Sequence, residues 1–500
     1  MKKSAKTKFS KHHKLHSLDF YAKEPGKSPV KYILLVAPIF QLISFFVAYS
    51  ALKKLNLLQK WQFVLVFVIA MILQIITTKA ILSNFRGKIA KTFAVVFAIL
   101  LGSLYCVGTN YTRKMTDFIE VATGKTNEKQ TYSVMVLKSS RYEEIGQLNT
   151  QHIGFLSTNP NLDKTKETLD SVIDFTPREY GELGSLIAAI TSYKTSAIVV
   201  ANSYIEYLEE NDNPFLNKSR VIYTFEVLVE QVETGTPVSD LNNEPFIVYI
   251  SGSDSRGSLQ ETARSDVNIL MVVNPAKAKV LLVSIPRDYY VQLHGTTGTR
   301  DKLTHAGVYG IEMSRKTIED LIGYDINYTV KIGFNSFISV VDALDGVDID
   351  SDKDFIAHTD KSCHIREGKQ HLDSRCALAF ARERYAYDSG DRHRGQNQQA
   401  VITAIINKMS DPRQLTKFTD ILEATEGTLE TSMSYNEITS FARNQLNTMQ
   451  HWEVESISLD GYGAMLPTYS MGAQNLYVMV PDETTIYNAR KKIEEYLKTE

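Results

Sequence analysis

A chain of 500 residues is long enough for two soluble domains and further segments, and 55 basic against 57 acidic side chains exclude a global electrostatic pull toward nucleic acid. Three cysteines, Cys106, Cys363 and Cys376, exclude a disulfide-rich scaffold and lack zinc-finger spacing. The distribution of charge says more than its sum, because nine lysines between Lys2 and Lys31 face only Asp19 and Glu24.

Residues 1–31 have no apolar periodicity and read as a basic cytoplasmic tail whose lysines set membrane orientation. Contact with anionic lipid or nucleic acid is the alternative. Three apolar stretches fill residues 32–111: Tyr32 to Ala51, Trp61 to Ile76 with an extension to Leu82, and Thr92 to Val107. Each approaches the ~20 residues that cross a bilayer as helix, and three in succession are too many for a cleaved leader. The tail lysines, with Lys79, Arg86, Lys88 and Lys91 after the second span, favour a cytoplasmic N-terminus. Lys53, Lys54 and Lys60 in the first loop weaken that contrast. An odd number of spans then puts everything after Tyr111 outside the cell.

Residues 112–240 read as a separate α/β unit. Tyr132–Leu137 and Ile153–Leu156 have strand character, and Asp163–Val172 has helical character. Pro177–Tyr193, Ala197–Ala201, Ser203–Glu210 and Val221–Val229 then alternate helix, strand, helix, strand. The sequence of this unit shows no nucleophile, metal cluster or phosphate loop, so a spacer or protein-binding module is expected.

Residues 241–500 concentrate the charged chemistry. Three short apolar runs, Phe246–Ile250, Asp266–Val273 and Lys279–Ile285, are bounded by Gly, Ser and Pro as buried strands are. The link Asn274-Pro275-Ala276 is short enough for a hairpin. As antiparallel neighbours the three runs bring Asp254, Arg256, Arg264, Asp266 and Arg287 to one sheet edge. Two carboxylates among three arginines suit Mg²⁺ held beside a polyanion, with Arg forking onto the remaining oxygens. A surface of compensating ion pairs is the competing reading.

Downstream, Thr304–Ile322 has helical character closed by Gly323, and Asn327–Ile332 reads as a strand. Asn335 is the expected N-cap of a helix through Leu344. His305 reads as a satisfied surface or cap histidine. Asp373 is expected to cap the helix that leads into Arg382-Glu383-Arg384. Ser389-Gly390 then precedes a helix from Asp391 to Ser410, where Asp391 reads as a cap or as a base. Positions 394, 398, 401 and 405 share one face, so Arg394 and Gln398 continue the stripe of Val401 and Ile405 into the domain. Inward Arg and Gln need partners, which either a salt bridge or a phosphate at the helix N-terminus supplies. Cys363 and Cys376 read first as two unrelated buried thiols; a pair between them is the alternative if this part lies outside the cell.

The assembled motifs are Gly252-Ser253-Asp254-Ser255-Arg256, Ala263-Arg264-Ser265-Asp266, Ser284-Ile285-Pro286-Arg287-Asp288, Lys302-Leu303-Thr304-His305-Ala306, Phe380-Ala381-Arg382-Glu383-Arg384, and Gly390-Asp391 with Arg394, Gln398 and Gln399. In that order they resemble the LytR-CpsA-Psr family, and especially its capsule-associated streptococcal-type members. Asn397 departs from the pattern, since many members carry another Arg there. The resemblance implies an α/β fold whose mixed or antiparallel central sheet and flanking helices enclose a lipid tail. It also implies an extracytoplasmic, Mg²⁺-dependent phosphotransferase, with Mn²⁺ as the alternative ion. Such an enzyme moves a glycan-phosphate, capsular or a related wall glycopolymer, from a polyprenyl-pyrophosphate carrier to peptidoglycan. Carried over, Asp254 and Asp266 hold the metal and Arg264, Arg287, Arg382, Arg384 and Arg394 act as catalytic groups on the pyrophosphate. Arg256 and Gln398 bind substrate. The implied partners are the lipid-linked glycan, the peptidoglycan acceptor, membrane lipid and capsule-synthesis proteins; nucleic acid is not expected. A transmembrane regulator of capsule expression and a pyrophosphatase using the same site are the alternatives.

Overall fold

Helices α1 (Pro29–Leu55), α2 (Lys60–Leu82) and α3 (Lys88–Thr123) each contain a candidate membrane span by length and composition. Large apolar side chains such as Val64, Ile72 and Leu100 stay exposed, an arrangement suited to a hydrocarbon surround. Gln41, Ser44 and Thr77 turn inward. Thr77 Oγ1 donates to Gln41 Oε1 at 2.9 Å, and Gln74 Nε2 donates to the Pro38 carbonyl at 2.9 Å. Without water, each such group left unbonded would be costly.

The computed structural model describes residues 29–83, 87–123, 128–159, 161–210, 213–229, 235–253, 263–388, 390–411 and 429–498. The expected tail up to Ser28, and Arg86, Asp254 and Arg256, lie outside them. Two compact units emerge: residues 60–109 with α1 up to Ser50, and Asn110 onward with Ala51–Gln59. The third apolar helix runs well past its expected end at Val107, because its character changes along its length. Met115, Ile119 and Ala122, at +4 and +3 spacing, form an amphipathic face buried with Leu55 and beside Leu429, Tyr435 and Ile438.

The second unit begins with a five-stranded sheet. Its elements are β1 (Glu128–Leu137), β2 (His152–Leu156), α4 (Leu162–Asp170), β3 (Thr176–Tyr180), α5 (Leu183–Thr191), β4 (Ala197–Ala201), α6 (Asn202–Glu210) and β5 (Ser219–Val229), in the strand order β3-β2-β4-β1-β5. The helix expected over Pro177–Tyr193 is corrected to a strand followed by a shorter helix. Thr176–Tyr180 pairs parallel with β2 at the sheet edge, where proline's missing N–H is tolerated, and α5 starts only after Gly181-Glu182. Its core of Val134, Ile153, Leu186 and Ile198 is joined by Val308, Met471 and Leu476 from later in the chain.

Next come β6 (Phe246–Ser253), β7 (Val267–Asn274), β8 (Lys279–Ser284), α7 (Ile311–Ile322), β9 (Tyr328–Gly333), α8 (Phe334–Ala343), α9 (Ser374–Arg382), α10 (Asp391–Met409), β10 (Leu429–Thr431), α11 (Tyr435–Thr448), β11 (Glu453–Ser458), β12 (Gly461–Thr468), β13 (Gly472–Pro481) and α12 (Glu483–Leu497). Six of these strands form one mixed sheet in the order β10-β9-β6-β7-β8-β11. Alternate side chains separate its faces. Tyr249, Leu270 and Leu281 pack on α7 and α12, while Phe246, Ile269 and Leu282 pack toward Ile402 and Ile406 of α10 and Phe441 of α11. The result is a three-layer α/β sandwich. Helix α8 starts at Phe334, so Asn335 falls in its first turn and does not cap it. Asp373 caps α9, accepting from the Cys376 amide. Cys363 and Cys376 are not separate thiols but are joined as a disulfide beside Phe355 and Phe380.

Candidate functional site

Strands β6 and β8 run antiparallel to β7, while β9 lies parallel to β6 and β11 parallel to β8. Four strands therefore end at one sheet edge and β7 begins there, the end at which ligands settle in open α/β sheets. The Asp266 amide donates to the Gly252 carbonyl at 2.8 Å, which fixes this carboxylate beside the end of β6. Pro286 stops β8 and lets Arg287 turn back. Arg287 Nη1 then donates to Asp266 Oδ1 at 2.7 Å, with both side chains largely covered. The segment Leu303–Ala306 clamps this pair from the side. The Thr304 amide donates to the Arg287 carbonyl at 2.8 Å, and the Ser265 amide donates to the Thr304 carbonyl at 3.3 Å. Gly307 is required here, because a Cβ would come within 2.5 Å of the Ala263 carbonyl oxygen.

Helix α10 closes the site from the other face. Gly395 brings the first turn close to β8: a Cβ there would meet Ser284 Oγ at 2.6 Å and the hydroxyl would have to turn away. Gln399 Nε2 holds the turn there, donating to the carbonyls of Leu282 at 3.1 Å and Ile457 at 2.6 Å. Arg394, 7% exposed, projects inward, and its Nη2 lies 3.4 Å from the Asp266 carbonyl. Val401 lies buried on the same stripe and Gln398 is half-buried. Between them opens a cleft of about 300 Å³ of empty volume, lined by Asp266, Arg287, Arg392, Arg394, Gln398 and the hydroxyl-bearing Ser284 and Ser458.

The cleft gathers Asp266, Arg287, Arg394 and Gln398. Arg264 and Arg382 stand near the same edge without lining the cleft, and Arg384 does not line it either. Arg264 precedes the clamped Ser265, and Arg382 lies over the Phe334 ring at 4.6 Å, next to Gly333, the register partner of Ser253. Asp254 and Arg256 lie outside the described residues. Gly390 holds the capping position of α10, so Asp391 starts the helix without capping it. Asn397 serves packing, its Nδ2 donating to the Phe380 carbonyl at 3.0 Å.

His305 is not a surface or cap residue. It is 4% exposed and its Nδ1 meets Oδ1 of the buried Asp301 at 2.6 Å. Arg392 and Ser458 escaped the reading of the sequence, and Ser284 entered it only within a motif, with no role of its own. The two serines are register partners at the ends of β8 and β11, and a polar residue ending an apolar strand is a signal that could have marked them. Burial lowers His393, next to Arg394, below the usual imidazole range, with Asp352 opposing.

A family model described as the LytR_cpsA_psr family matches residues 217–494. The polyisoprenyl-teichoic acid–peptidoglycan teichoic acid transferase TagU of Bacillus cereus is 34% identical over 223 residues, 44% of this chain and 71% of that protein. TagV of Bacillus subtilis, a transferase of the same description, is 29% identical over 267 residues, 52% of this chain and 66% of that protein. A solved LytR-CPS2A-psr family protein, YwtF (TagT) with bound octaprenyl pyrophosphate lipid, matches 53% of this chain and 97% of its own at 26% identity, with a TM-score of 0.41.

Proposed function

The chain belongs to the LytR-CpsA-Psr family, and from that premise we propose that it is a membrane-anchored transferase working outside the cell membrane. It moves a glycan-phosphate, capsular or a related wall glycopolymer, from a polyprenyl-diphosphate carrier to peptidoglycan. The observation that carries this reading is the cleft itself, where the Asp266–Arg287 pair faces Arg394 across the end of a sheet. In the reaction the acceptor hydroxyl oxygen bonds to the glycan-side phosphorus. The bond from that phosphorus to the bridging oxygen breaks, prenyl phosphate leaves with the electron pair, and the hydroxyl proton passes to the leaving phosphate or to solvent. Little of this demands covalent help from the protein. Positioning and charge stabilisation dominate, and Arg287 and Arg394 supply both by forking onto the non-bridging oxygens. Gln398 orients the diphosphate from the next turn of α10.

Mg²⁺ suits this donor set. The described hydrogen bonds to the Asp266 carboxylate fall on Oδ1, and a hard cation takes one or two carboxylates together with phosphate oxygens. Asp266 and Asp254 would hold it, and when bound it would neutralise charge on the diphosphate. Mn²⁺ would fit the same oxygens.

The external placement rests on three features. The tail is lysine-rich. Lys54, one of the first-loop lysines that blur the orientation signal, pairs with Glu120 on the extension of α3 at 2.8 Å. The Cys363–Cys376 disulfide suits an oxidising compartment. The full-length protein in bilayers, given a prenyl-diphosphate-linked disaccharide and peptidoglycan, should yield phosphodiester-linked disaccharide on peptidoglycan and prenyl monophosphate. Free phosphodisaccharide, released equally with and without peptidoglycan, would replace transfer by hydrolysis.

A further inference from the structure

We propose that the turn from Arg384 to Tyr387 is a sugar platform, taking one pyranose ring of a glycan at the mouth of the cleft; this rests on the transferase reading above. The turn is built around an inward carboxylate. Glu383 is 1% exposed, and its Oε1 accepts the amides of Arg384 at 3.0 Å, Tyr385 at 2.7 Å and Ala386 at 3.0 Å. Its Oε2 accepts the His358 amide at 2.6 Å. Charge-assisted bonds of this kind, shielded from water, hold a turn in one shape.

What the turn holds outward is Tyr385, 73% exposed. Its ring centre lies 4.2 Å from that of His358, which backs one side of it. Ile356, two residues before His358, is 61% exposed. A rim of polar groups follows. Tyr387 Oη donates to Asp352 Oδ1 at 2.9 Å, and Lys353 Nζ lies 5.3 Å from the Tyr387 ring centre.

Both chain ends of this patch lie next in sequence to the site without lining the cleft. Arg382 and Arg384 lead into the patch, and Tyr387 stacks on His393, the residue before Arg394. A pyranose has a face of C–H groups and a rim of hydroxyls, so it packs on an aromatic face and bonds to a polar border. A protein partner would need a far larger apolar area than this one turn offers. The ring could come from the donor, linked to the diphosphate, or from the glycan strand of the acceptor.

The full-length protein in bilayers separates these sources with three probes: bare prenyl diphosphate, the same diphosphate carrying a disaccharide, and soluble uncrosslinked peptidoglycan strands. Tyr385→Ala should leave binding of bare diphosphate unchanged. It should weaken roughly threefold to tenfold either binding of the disaccharide probe, identifying the donor sugar, or the KM for the strands, identifying the acceptor. Tyr385→Trp should restore the affected value. Unchanged values with all three probes, or an equal loss with all three, would overturn the platform. Arg394→Ala in parallel tests the underlying reading: if it leaves bare diphosphate binding intact, the transferase site fails, whatever Tyr385 does.

Discussion

The accessory sheet and the sandwich that follows it each border a cleft of about the same size, and they line it with different chemistry. The first, about 290 Å³, is lined by Gln130, Tyr132, Asn159, Tyr204 and Tyr309 among apolar side chains. Its polar groups satisfy one another. Tyr132 Oη donates to Asn159 Oδ1 at 2.9 Å, and Asn161 Nδ2 donates to Gln130 Oε1 at 2.9 Å. Burial pushes the Tyr132 phenol up to about 12, so it stays neutral. The second, about 300 Å³, sets one carboxylate among three guanidinium groups where four strands end. Both regions are α/β and both have well-formed cores, so fold class does not distinguish them. The concentration of charge at strand ends does, and it is what a diphosphate requires.

The strongest way to break that contrast is to remove the carboxylate. Asp266→Ala should lower transfer by at least about a hundredfold, the scale of losing an electrostatic stabiliser of the transition state. Asp254→Ala should do the same. Circular dichroism and melting should stay near those of the parent in both; loss of folding in both would restore the ion-pair reading. Next in size is the disulfide, present only in the sandwich. Its cysteines are 13 residues apart, so Cys363→Ser with Cys376→Ser should cost about 2–4 kcal/mol. Hydrogen exchange should quicken around Phe355 and Phe380 and not in β1 or β4.

A smaller effect tests the accessory cleft. Asn159→Ala removes one of two partners of the buried Tyr132 hydroxyl, which keeps Gln130 Oε1, and should cost about 0.5–1.5 kcal/mol of stability, with kcat unchanged in the protein that remains folded. A loss of kcat at full stability would give that region a part in the chemistry. The smallest effect concerns pH. His393 titrates below its ordinary 6.5 in the folded chain, so as the pH falls the unfolded chain takes up the proton first. Stability should therefore decline from pH 6.5 downward until the folded imidazole protonates. Melts across this range should show a flatter decline in His393→Gln.

The sheet edge was legible because short apolar runs ending in Gly, Ser and Pro specify strands, and hairpin length sets their antiparallel order. The inward stripe of α10 was legible from spacing alone. β3 was not, since an exposed edge strand containing Pro177 has neither the alternation nor the apolar run of a strand. The burial of His305 was half visible, in the i, i+4 spacing from Asp301. Position on the edge also did not reveal that Arg264, Arg382 and Arg384 stand outside the cleft, because that depends on which way each loop turns. The inward turn of Glu383 left no trace, since its partners are backbone amides that every neighbouring residue would offer.

The central claim is that the cleft below α10 binds a diphosphate, and melting Arg394→Ala with and without a soluble prenyl diphosphate tests it most directly. Arg394 is placed for the ligand, so its replacement should change the apo melting temperature little, whereas breaking a buried structural ion pair would cost several kcal/mol. Hydrogen bonds to charged groups contribute roughly 1.5–3 kcal/mol each, so affinity should fall about ten- to a hundredfold and most of the ligand-induced stabilisation should disappear. A large drop in the apo melting temperature, with ligand-induced stabilisation intact, would contradict the claim and make Arg394 part of a structural ion pair.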